Sequence, residues 1–203
     1  MGNFETIILS LGGSLIVPDG NIDTAFLSSF NSFIRDQLTA TNRRFFIVCG
    51  GGGTARHYMH AGKEVIGELK DEDIDWLGIH ATRLNAHLIR TIFHDVAFPV
   101  IVENYDKTYN PGQSRVIVGA GWQPGCSTDY DAVLAAEHFS GTTVINMSNI
   151  DKVYDKDPKH HTDARSVSEM SWESYRKISG DVWVPGMNLP FDPIAARKAQ
   201  SLG

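Results

Sequence analysis

Two consecutive units of strand, glycine turn and helix restrict the folds open to this chain. Residues 4–11 form a β-branched apolar run that stops at Gly12-Gly13-Ser14, and a helical repeat of apolar residues follows. The same order returns at once in residues 44–49, the four glycines at 50–53, and a helix that Thr54 can cap. Because strands joined through helices pair in parallel, the sequence predicts a parallel sheet covered by helices.

The rest of the chain continues this alternation without an internal repeat, a linker or a block of charge. We therefore expect one α/β domain over residues 1–203. Its last helix stops at Gly203, where an α/β chain normally turns into another strand, so either the protein ends on a surface helix or a final strand is missing from this sequence. The patterns predict helices over residues 23–38, 54–65, 71–94, 129–139, 171–179 and 192–202, and further strands over residues 99–103, 115–119 and 143–147.

Composition and charge exclude several classes of protein. The 203 residues are 42% hydrophobic and 21% charged, which excludes disordered chains, collagen and coiled coils. The net charge of −6 gives no positive field for binding nucleic acid or an anionic membrane. The apolar runs are far shorter than the roughly 20 residues that cross a bilayer, and the N-terminus lacks the pattern of a signal peptide. Cys49 and Cys126 form no CxxC pair, so we expect a reduced cytoplasmic protein.

The glycine turns that follow the strands are candidate phosphate sites. Glycine lets backbone N–H groups approach an anion, and the following helix adds its dipole, although a glycine after a strand can also be only a tight turn. The turns at 12–14, 50–53 and 119–121 are not followed by Gly-Lys-Ser or Gly-Lys-Thr, and none reads GxGxxG, so a nucleotide would be bound by another architecture. Arg56 lies one helical turn beyond the four glycines, where it either reaches the same phosphate or is an ordinary surface group.

Two further segments carry polar side chains that suit a nucleotide. Asp75 lies near the start of the long helix, where it either complements the helix dipole or accepts hydrogen bonds from ribose hydroxyls. The loop at residues 122–129 combines a rigid turn with polar groups that can cap the next helix, recognise a planar base, or do both.

Other kinds of site lack residues that they require. The carboxylates of residues 147–159 lack the central glycine and the terminal glutamate of a calcium loop. The eight histidines are scattered, and the pairs His57/His60 and His160/His161 lack the further ligands of a catalytic zinc site. No nucleophile elbow of a hydrolase is present either. We therefore expect no metal centre built from protein ligands.

Six blocks of sequence cover nearly the whole chain: LSLGGS from Leu9, CGGGGTAR from Cys49, DWLGIHATRLNA from Asp75, PGCSTD from Pro124, SNIDKVYDKDP from Ser148 and FDPIAA from Phe191. Together and in this order, they resemble the amino-acid kinase superfamily and, within it, the archaeal-type uridylate (UMP) kinases. Single blocks recur in aspartate, glutamate 5- and acetylglutamate kinases, whereas the second, third and fourth blocks together are fairly specific to UMP kinases.

The resemblance implies a fold, a reaction and an assembly. The fold is a three-layer α/β/α sandwich with a mainly parallel central sheet. The reaction is transfer of the γ-phosphoryl group of Mg-ATP to UMP, which gives UDP and ADP in pyrimidine nucleotide biosynthesis. The ligands are thus ATP, UMP and Mg²⁺, and the expected assembly is a homo-oligomer, a hexamer built of dimers.

By matching position, the resemblance also implies three groups of site residues. Asp129, Asp192 and Arg56 organise the catalytic centre, and no general base is needed because a UMP phosphate oxygen is already a competent nucleophile. The implied ATP-binding residues are Ser10, Gly12, Gly13, Ser14, Gly52, Arg56, Ser148, Asn149, Tyr154 and Asp157. The implied UMP-binding residues are Gly51, Asp75, Trp122, Gln123, Pro124, Gly125, Cys126, Ser127 and Thr128.

Two departures from the family pattern keep alternatives open. Most members carry a lysine where this chain has Ser10, and removing one preorganised cation costs about a hundredfold or more in rate. Arg56, Lys152 and Lys156 are candidates to replace it, and Lys152 itself stands where the family usually has glycine. Relatives also continue into a core strand and a terminal hairpin, which we expect this domain to lack. The alternatives are a nucleotide-binding storage or regulatory relative without full activity, and a kinase for another small acceptor.

Overall fold

A four-stranded parallel sheet forms the centre of the protein. The computed structural model describes residues 4–150, 152–156, 160–182 and 189–203. The strands β1 (Glu5–Leu11), β2 (Arg43–Cys49), β3 (Val116–Gly119) and β4 (Thr143–Met147) pair in the order β3-β2-β1-β4. Leu11, at the end of β1, pairs with Cys49 and Met147 at the ends of its two neighbours. The turns that follow the strands therefore meet at one edge of the sheet, where open α/β sheets bind their ligands.

Helices cover both faces of this sheet. No helix in the described ranges combines the length and the apolar character needed to cross a membrane. A small antiparallel pair, β5 (Val153–Tyr154) and β6 (Ser166–Val167), lies outside the main sheet. The helices are α1 (Gly13–Ile16), α2 (Thr24–Ala40), α3 (Gly52–Ile66), α4 (Asp71–Ile92), α5 (Thr128–His138), α6 (Trp172–Ser179) and α7 (Pro193–Leu202).

Alternation along the strands divides the core into two layers. In β1, Leu9 and Leu11 face one side and pack with residues of α2 and α4 such as Ile34 and Ile89. Ile8 faces the other side and packs with residues of α5. The protein is therefore the three-layer α/β/α sandwich with a mainly parallel sheet that the resemblance implied.

The two C-terminal helices pack against α5 through a third apolar cluster. Tyr175 of α6 lies in this cluster with Phe191, and its hydroxyl both donates to the Phe191 carbonyl and accepts from the Phe191 N–H, each at 2.7 Å. These bonds fix the backbone immediately before Asp192, which caps α7 through bonds from the N–H groups of Ile194 and Ala195 to its Oδ1.

The structure differs from two sequence predictions. The helix expected to be capped by Thr54 begins at Gly52, with Gly51 at the N-cap position, so Thr54 lies inside its first turn. Residues 99–103 do not form a continuous strand, although isolated bridges join Ala97 to Val116 and Val102 to Gly119. Pro99 lies between these bridges and has no N–H to donate, so the ladder cannot close there.

Candidate active site

Two glycine turns pack backbone against backbone at the carboxyl edge of the sheet. A Cβ atom on Gly13 would lie 2.1 Å from the backbone nitrogen of Gly52 and 2.6 Å from the carbonyl carbon of Gly50. One on Gly12 would lie 2.6 Å from the carbonyl oxygen of Met147, and Gly52 itself has a φ of +60°. Close packing therefore requires glycine here whether or not a phosphate binds. The tight-turn interpretation and the phosphate interpretation of these glycines are compatible.

Arg56 ties the helix after the second turn to the helix after the first. Its Nη1 donates to the Ser14 hydroxyl at 3.2 Å, and its Nη2 donates to the Pro18 carbonyl. The side chain is otherwise exposed at the rim of the turns. A guanidinium carries five N–H donors, so Arg56 can hold these contacts and still face an anion at the turns.

A small cleft of about 450 Å³ lies between the glycine turns, α4 and the start of α5. Of the residues matched to UMP binding, Pro124 and Gly125 do not line it. The other seven do line it: Gly51, Asp75, Trp122, Gln123, Cys126, Ser127 and Thr128. The turns contribute Gly13, Ser14, Gly52 and Arg56 to the same lining. The lining also includes six residues that the sequence did not assign to it: Met59, Ile74, Gly78, Ile79, Thr82 and Asp131.

One face of α4 holds the loops around the small cleft in place. Asp75 Oδ2 accepts from the N–H of Gly125 at 2.8 Å, so it anchors the 122–128 turn besides lining the cleft. Thr82 Oγ1 accepts from the N–H of Gly121 at 2.7 Å, and Asn85 Nδ2 donates to the Gly50 carbonyl at 2.7 Å. The three side chains recur at helical spacing, which lets one helix set the distance between two turns.

A large cleft of about 820 Å³ lies on the other side of α1. Ser148 lines it as matched, whereas exposed Asn149 and half-buried Tyr154 do not, and Asp157 lies outside the described residues. Ser10 is a buried residue of β1 and does not line the large cleft either. Residues from five segments complete the lining: Leu15, Phe26, Asn146, Met147, Ile150, Lys152, Val153, Ser166, Val167, Ser168 and Pro190.

Asp129 and Asp192 form one hydrogen-bonded network with Ser10. The buried Ser10 hydroxyl donates to Asp129 Oδ1 at 2.7 Å, and the N–H of Asp192 donates to Asp129 Oδ2 at 3.2 Å. Asp192 Oδ2 in turn accepts from the N–H of Ser127, which caps α5, at 2.7 Å. Burial raises the pKa of Asp129 to about 6, although the bonds from Ser10 and Asp192 oppose the rise.

Neither aspartate of this network lines a cleft in the described structure. The structure thus brings together Asp129 and Asp192, two of the three residues matched to the catalytic centre, in one hydrogen-bonded network outside both clefts. Their bonds fix the 127–129 backbone and the start of α7 relative to the end of β1.

Sequence reasoning did not find Asp131, the second acidic residue of the first turn of α5. An acidic residue at a helix start is ordinary, so the sequence offers no signal to single it out. In the structure Asp131 is 1% exposed and lines the small cleft, and its Oδ1 has no hydrogen-bond partner among the described residues. The parts of the large cleft at 166–168 and Pro190 were also missed, because only folding brings them to the end of β4.

Comparison with known proteins places these observations in a family. A sequence model of the amino acid kinase family matches residues 5–202. A uridylate kinase of Sulfurisphaera tokodaii is 34% identical over 173 residues, which are 85% of this chain and 74% of that protein. A uridylate kinase of Methanospirillum hungatei is 32% identical over 200 residues, covering 98% of this chain and 82% of the relative.

Solved structures give the same result. The crystal structure of a uridylate kinase from Archaeoglobus fulgidus superposes with a TM-score of 0.76 at 29% identity, covering 96% of this chain and 86% of that one. An aspartate kinase from Synechocystis superposes with a TM-score of 0.72 at 13% identity over 98% of this chain and 36% of its own, which shows a shared fold.

Proposed function

The chain belongs to the amino acid kinase family, and on this premise we propose that it is a uridylate kinase, which transfers the γ-phosphoryl group of ATP to UMP and yields ADP and UDP. The relatives that bear this name support UMP as the acceptor over an amino acid. Asp75 of α4 and the PGCSTD loop support the same choice from within the chain.

The observation that carries the proposal is the position of the two clefts on either side of the first glycine turn. Gly13 and Ser14 line the small cleft, and the next residue, Leu15, lines the large one. A phosphoryl group held at this turn would be within reach of molecules in both clefts. Two nucleotides that exchange a phosphoryl group need this arrangement, because their reacting atoms must meet while their nucleosides stay apart.

We assign ATP to the large cleft. Phe26, Ile150 and Val153 provide apolar surface for a nucleoside, and Ser148 and Ser166 add hydrogen-bonding groups. The triphosphate would extend from there toward the first glycine turn. Lys152 belongs to this lining, which makes it a cation available to the donor nucleotide.

We assign UMP to the small cleft. Its phosphate would lie at Gly51 and Arg56, its ribose at Asp75, and its base toward the 122–128 turn. The thiol of Cys126 in this turn has a raised pKa because of burial, so it would meet the base as a neutral group.

Catalysis in this proposal is positioning and charge neutralisation. The bond between the γ-phosphorus and the oxygen that bridges it to the β-phosphate breaks while a bond forms to a UMP phosphate oxygen. Backbone N–H groups of the two turns and the Arg56 guanidinium stabilise charge on the equatorial oxygens. The Ser10–Asp129–Asp192 network fixes the position of the 127–129 backbone relative to the end of β1.

Magnesium enters this proposal as part of the substrate Mg-ATP. Within the described residues no group of three or more His, Cys, Asp or Glu side chains could hold a metal ion. Magnesium in kinase sites is bound largely by substrate phosphates and keeps several waters. The ion would neutralise the phosphate charge between the two clefts. On the same premise we propose a cytoplasmic enzyme of pyrimidine nucleotide biosynthesis that assembles as a dimer-based hexamer.

The direct test is ADP release with Mg-ATP against a panel of acceptors. We expect turnover with UMP, and slower or no turnover with CMP, dTMP, glutamate and aspartate. Equilibrium binding of an ATP analogue and of UMP is measured in parallel. Turnover with an amino acid would overturn the proposal, and tight binding of both nucleotides without turnover would identify a non-catalytic relative instead.

A further inference from the structure

The lining of the large cleft is neutral except at one position. Of the described residues that line it, Lys152 is the charged one, and the others are apolar or neutral polar groups such as Phe26 and Ser148. The protein as a whole has a net charge of −6, so its overall field repels an anion. Within the described lining, a nucleotide bound in this cleft therefore meets positive charge at Lys152.

The small antiparallel pair of strands positions Lys152 at the cleft. Lys152 stands immediately before β5, and Val153, the first residue of β5, pairs with Val167 of β6. Val153 and Val167 both line the large cleft, as does Ser166. The backbone pairing therefore holds Lys152 beside the cleft. Because Lys152 is exposed, its ammonium can turn toward a ligand on a flexible four-carbon stem.

The other two candidate cations of the sequence lie elsewhere. Arg56 lines the small cleft, where it donates to the Ser14 hydroxyl at 3.2 Å, and it does not line the large one. Lys156 lines neither cleft, and its Nζ is paired with Asp163 Oδ2 at 2.6 Å. Of the three, Lys152 alone combines a place in the large cleft with a charge that no described residue neutralises.

Phosphate is the part of the donor nucleotide that matches this charge. The base and the ribose are uncharged at neutral pH, so the apolar and hydroxyl groups of the lining suffice for them. The triphosphate stays negative even when Mg²⁺ is bound, and a lysine ammonium binds phosphate as a compact point charge. The charge of Lys152 therefore has a partner in ATP that the neutral lining cannot serve.

The segment that carries Lys152 begins beside the first glycine turn. The Met147 carbonyl at the end of β4 accepts from the N–H of Gly12 at 2.8 Å. From there Met147, Ser148 and Ile150 line the cleft on the way to Lys152. A phosphate chain that extends from the cleft toward the turn therefore runs along the same segment that carries the ammonium.

We propose that the Lys152 ammonium binds the phosphate chain of the donor nucleotide and neutralises part of its charge. This inference rests on the assignment of ATP to the large cleft. The cation of the donor site then lies on the loop before β5, and not at the neutral Ser10 of β1, where the family pattern has a lysine. Arg56 is left to serve the acceptor in the small cleft.

Two variants of Lys152 separate its charge from its bulk. Lys152→Met removes the ammonium and keeps a long unbranched side chain, whereas Lys152→Arg keeps a positive charge. We expect the Kd of Mg-ATP, measured without an acceptor, to rise about five- to tenfold in the Met variant and to stay within about twofold of wild type in the Arg variant. Lys156→Met removes a lysine of the same segment that lines neither cleft, and it should bind Mg-ATP like wild type.

Adenosine and UMP are the probes that distinguish phosphate binding from a structural role. Adenosine has the base and ribose of ATP without the phosphates, so its Kd should be the same in wild type and all three variants. The Kd of UMP should also be unchanged, because UMP is assigned to the other cleft. Added NaCl should weaken Mg-ATP binding more in wild type than in Lys152→Met, because salt screens an exposed pair of charges.

These outcomes are distinct from those that test the proposed activity, because Mg-ATP binding is measured without turnover. A wild type that needs Lys152 to bind Mg-ATP but releases no ADP with UMP would reject the kinase and leave this inference standing. An unchanged Kd of Mg-ATP in Lys152→Met would overturn the inference while the kinase assignment stands. An equal rise in the Kd of adenosine, or an equal effect of Lys156→Met, would overturn it as well.

Discussion

At the scale of the residue, Ser10 and Asp129 show how burial changes the pKa of a carboxyl group that has only a neutral hydrogen-bond donor beside it. Ser10 is 2% exposed and gives Asp129 a neutral hydrogen bond at 2.7 Å, where a lysine would give a charge. A hydroxyl offsets only part of the cost of burying a carboxylate, so the pKa of Asp129 rises to about 6. The folded protein therefore has a carboxyl group that holds its proton more tightly than the unfolded chain does.

This difference predicts a pH dependence of stability. Because the pKa of Asp129 is about 6 when folded and 3.8 otherwise, its contribution to the free energy of unfolding falls as pH rises from about 4 to about 6 and is then constant. Asp129→Asn should abolish this fall. Between about pH 4.5 and about pH 7.5, the free energy of unfolding of the variant should therefore rise relative to that of wild type by at most about 3 kcal/mol. Urea unfolding at several pH values measures it.

The matched control is Asp19→Asn, which removes an exposed carboxylate. It should follow the wild-type pH profile. Parallel profiles for wild type and Asp129→Asn would show that Asp129 is not buried enough to titrate abnormally.

At the scale of the element, the glycine turns and α4 build the site together. The first and second turns touch through backbone atoms, and α4 binds the second turn through Asn85 and the third through Thr82. Each strand end is thus held by its neighbour or by one helix face. The glycine at each close contact is required by packing.

Gly13→Ala should destabilise the protein by about 1–3 kcal/mol or more, because the added methyl group would lie 2.1 Å from the Gly52 nitrogen. Gly78→Ala is the opposite case, since no atom lies within 4 Å of its Cβ position in the middle of α4. It should stabilise the protein by about 0.5–1 kcal/mol. Thermal and urea unfolding compare the two, and a Gly13→Ala protein as stable as wild type would refute the contact between the turns.

At the scale of the whole molecule, two clefts share one edge of the sheet but few residues. The large cleft draws on α1, α2, β4 and the β5–β6 pair, and the small cleft draws on α3, α4 and α5. The network of Ser10, Asp129 and Asp192 runs beneath the edge and joins β1 to α5 and α7. Each nucleotide should therefore bind alone and stabilise the fold by mass action.

UMP or an ATP analogue at about 100 times its Kd should each raise Tm by roughly 5–10 °C. At the same ligand concentrations, Asp75→Ala should lose most of the UMP-dependent rise and keep the ATP-dependent rise, because Asp75 lines only the small cleft. Asp71→Ala, an exposed acid on the same helix, should keep both. Equal loss of both rises in Asp75→Ala would remove the ribose assignment. Differential scanning fluorimetry measures all three proteins.

Local patterns in the sequence determined the elements of this protein. Apolar periodicity gave the four sheet strands and the longer helices, and the order of strand, glycine turn and helix gave a parallel sheet with its turns at one edge. The prediction of a strand at 99–103 was wrong where Pro99 interrupts the ladder, and the prediction of a Thr54 cap was wrong because the helix already begins at Gly52. Seven of the residues matched to UMP binding line one cleft, and they lie on three short motifs that each follow a recognisable local pattern.

Tertiary structure alone decided what lies between the motifs. Whether a glycine only permits a turn or also makes a close backbone contact depends on the segment that packs against it. For Gly13 that segment is the turn at Gly52, 39 residues later in the chain. The Ser10–Asp129 bond spans 119 residues, and no local pattern encodes it. In the sequence Asp131 is an ordinary acid at a helix start, and only the tertiary structure buries it at the small cleft. Periodicity determines which face of a helix or strand a side chain lies on. Its burial and its protonation state depend on the residues that the tertiary structure packs around it.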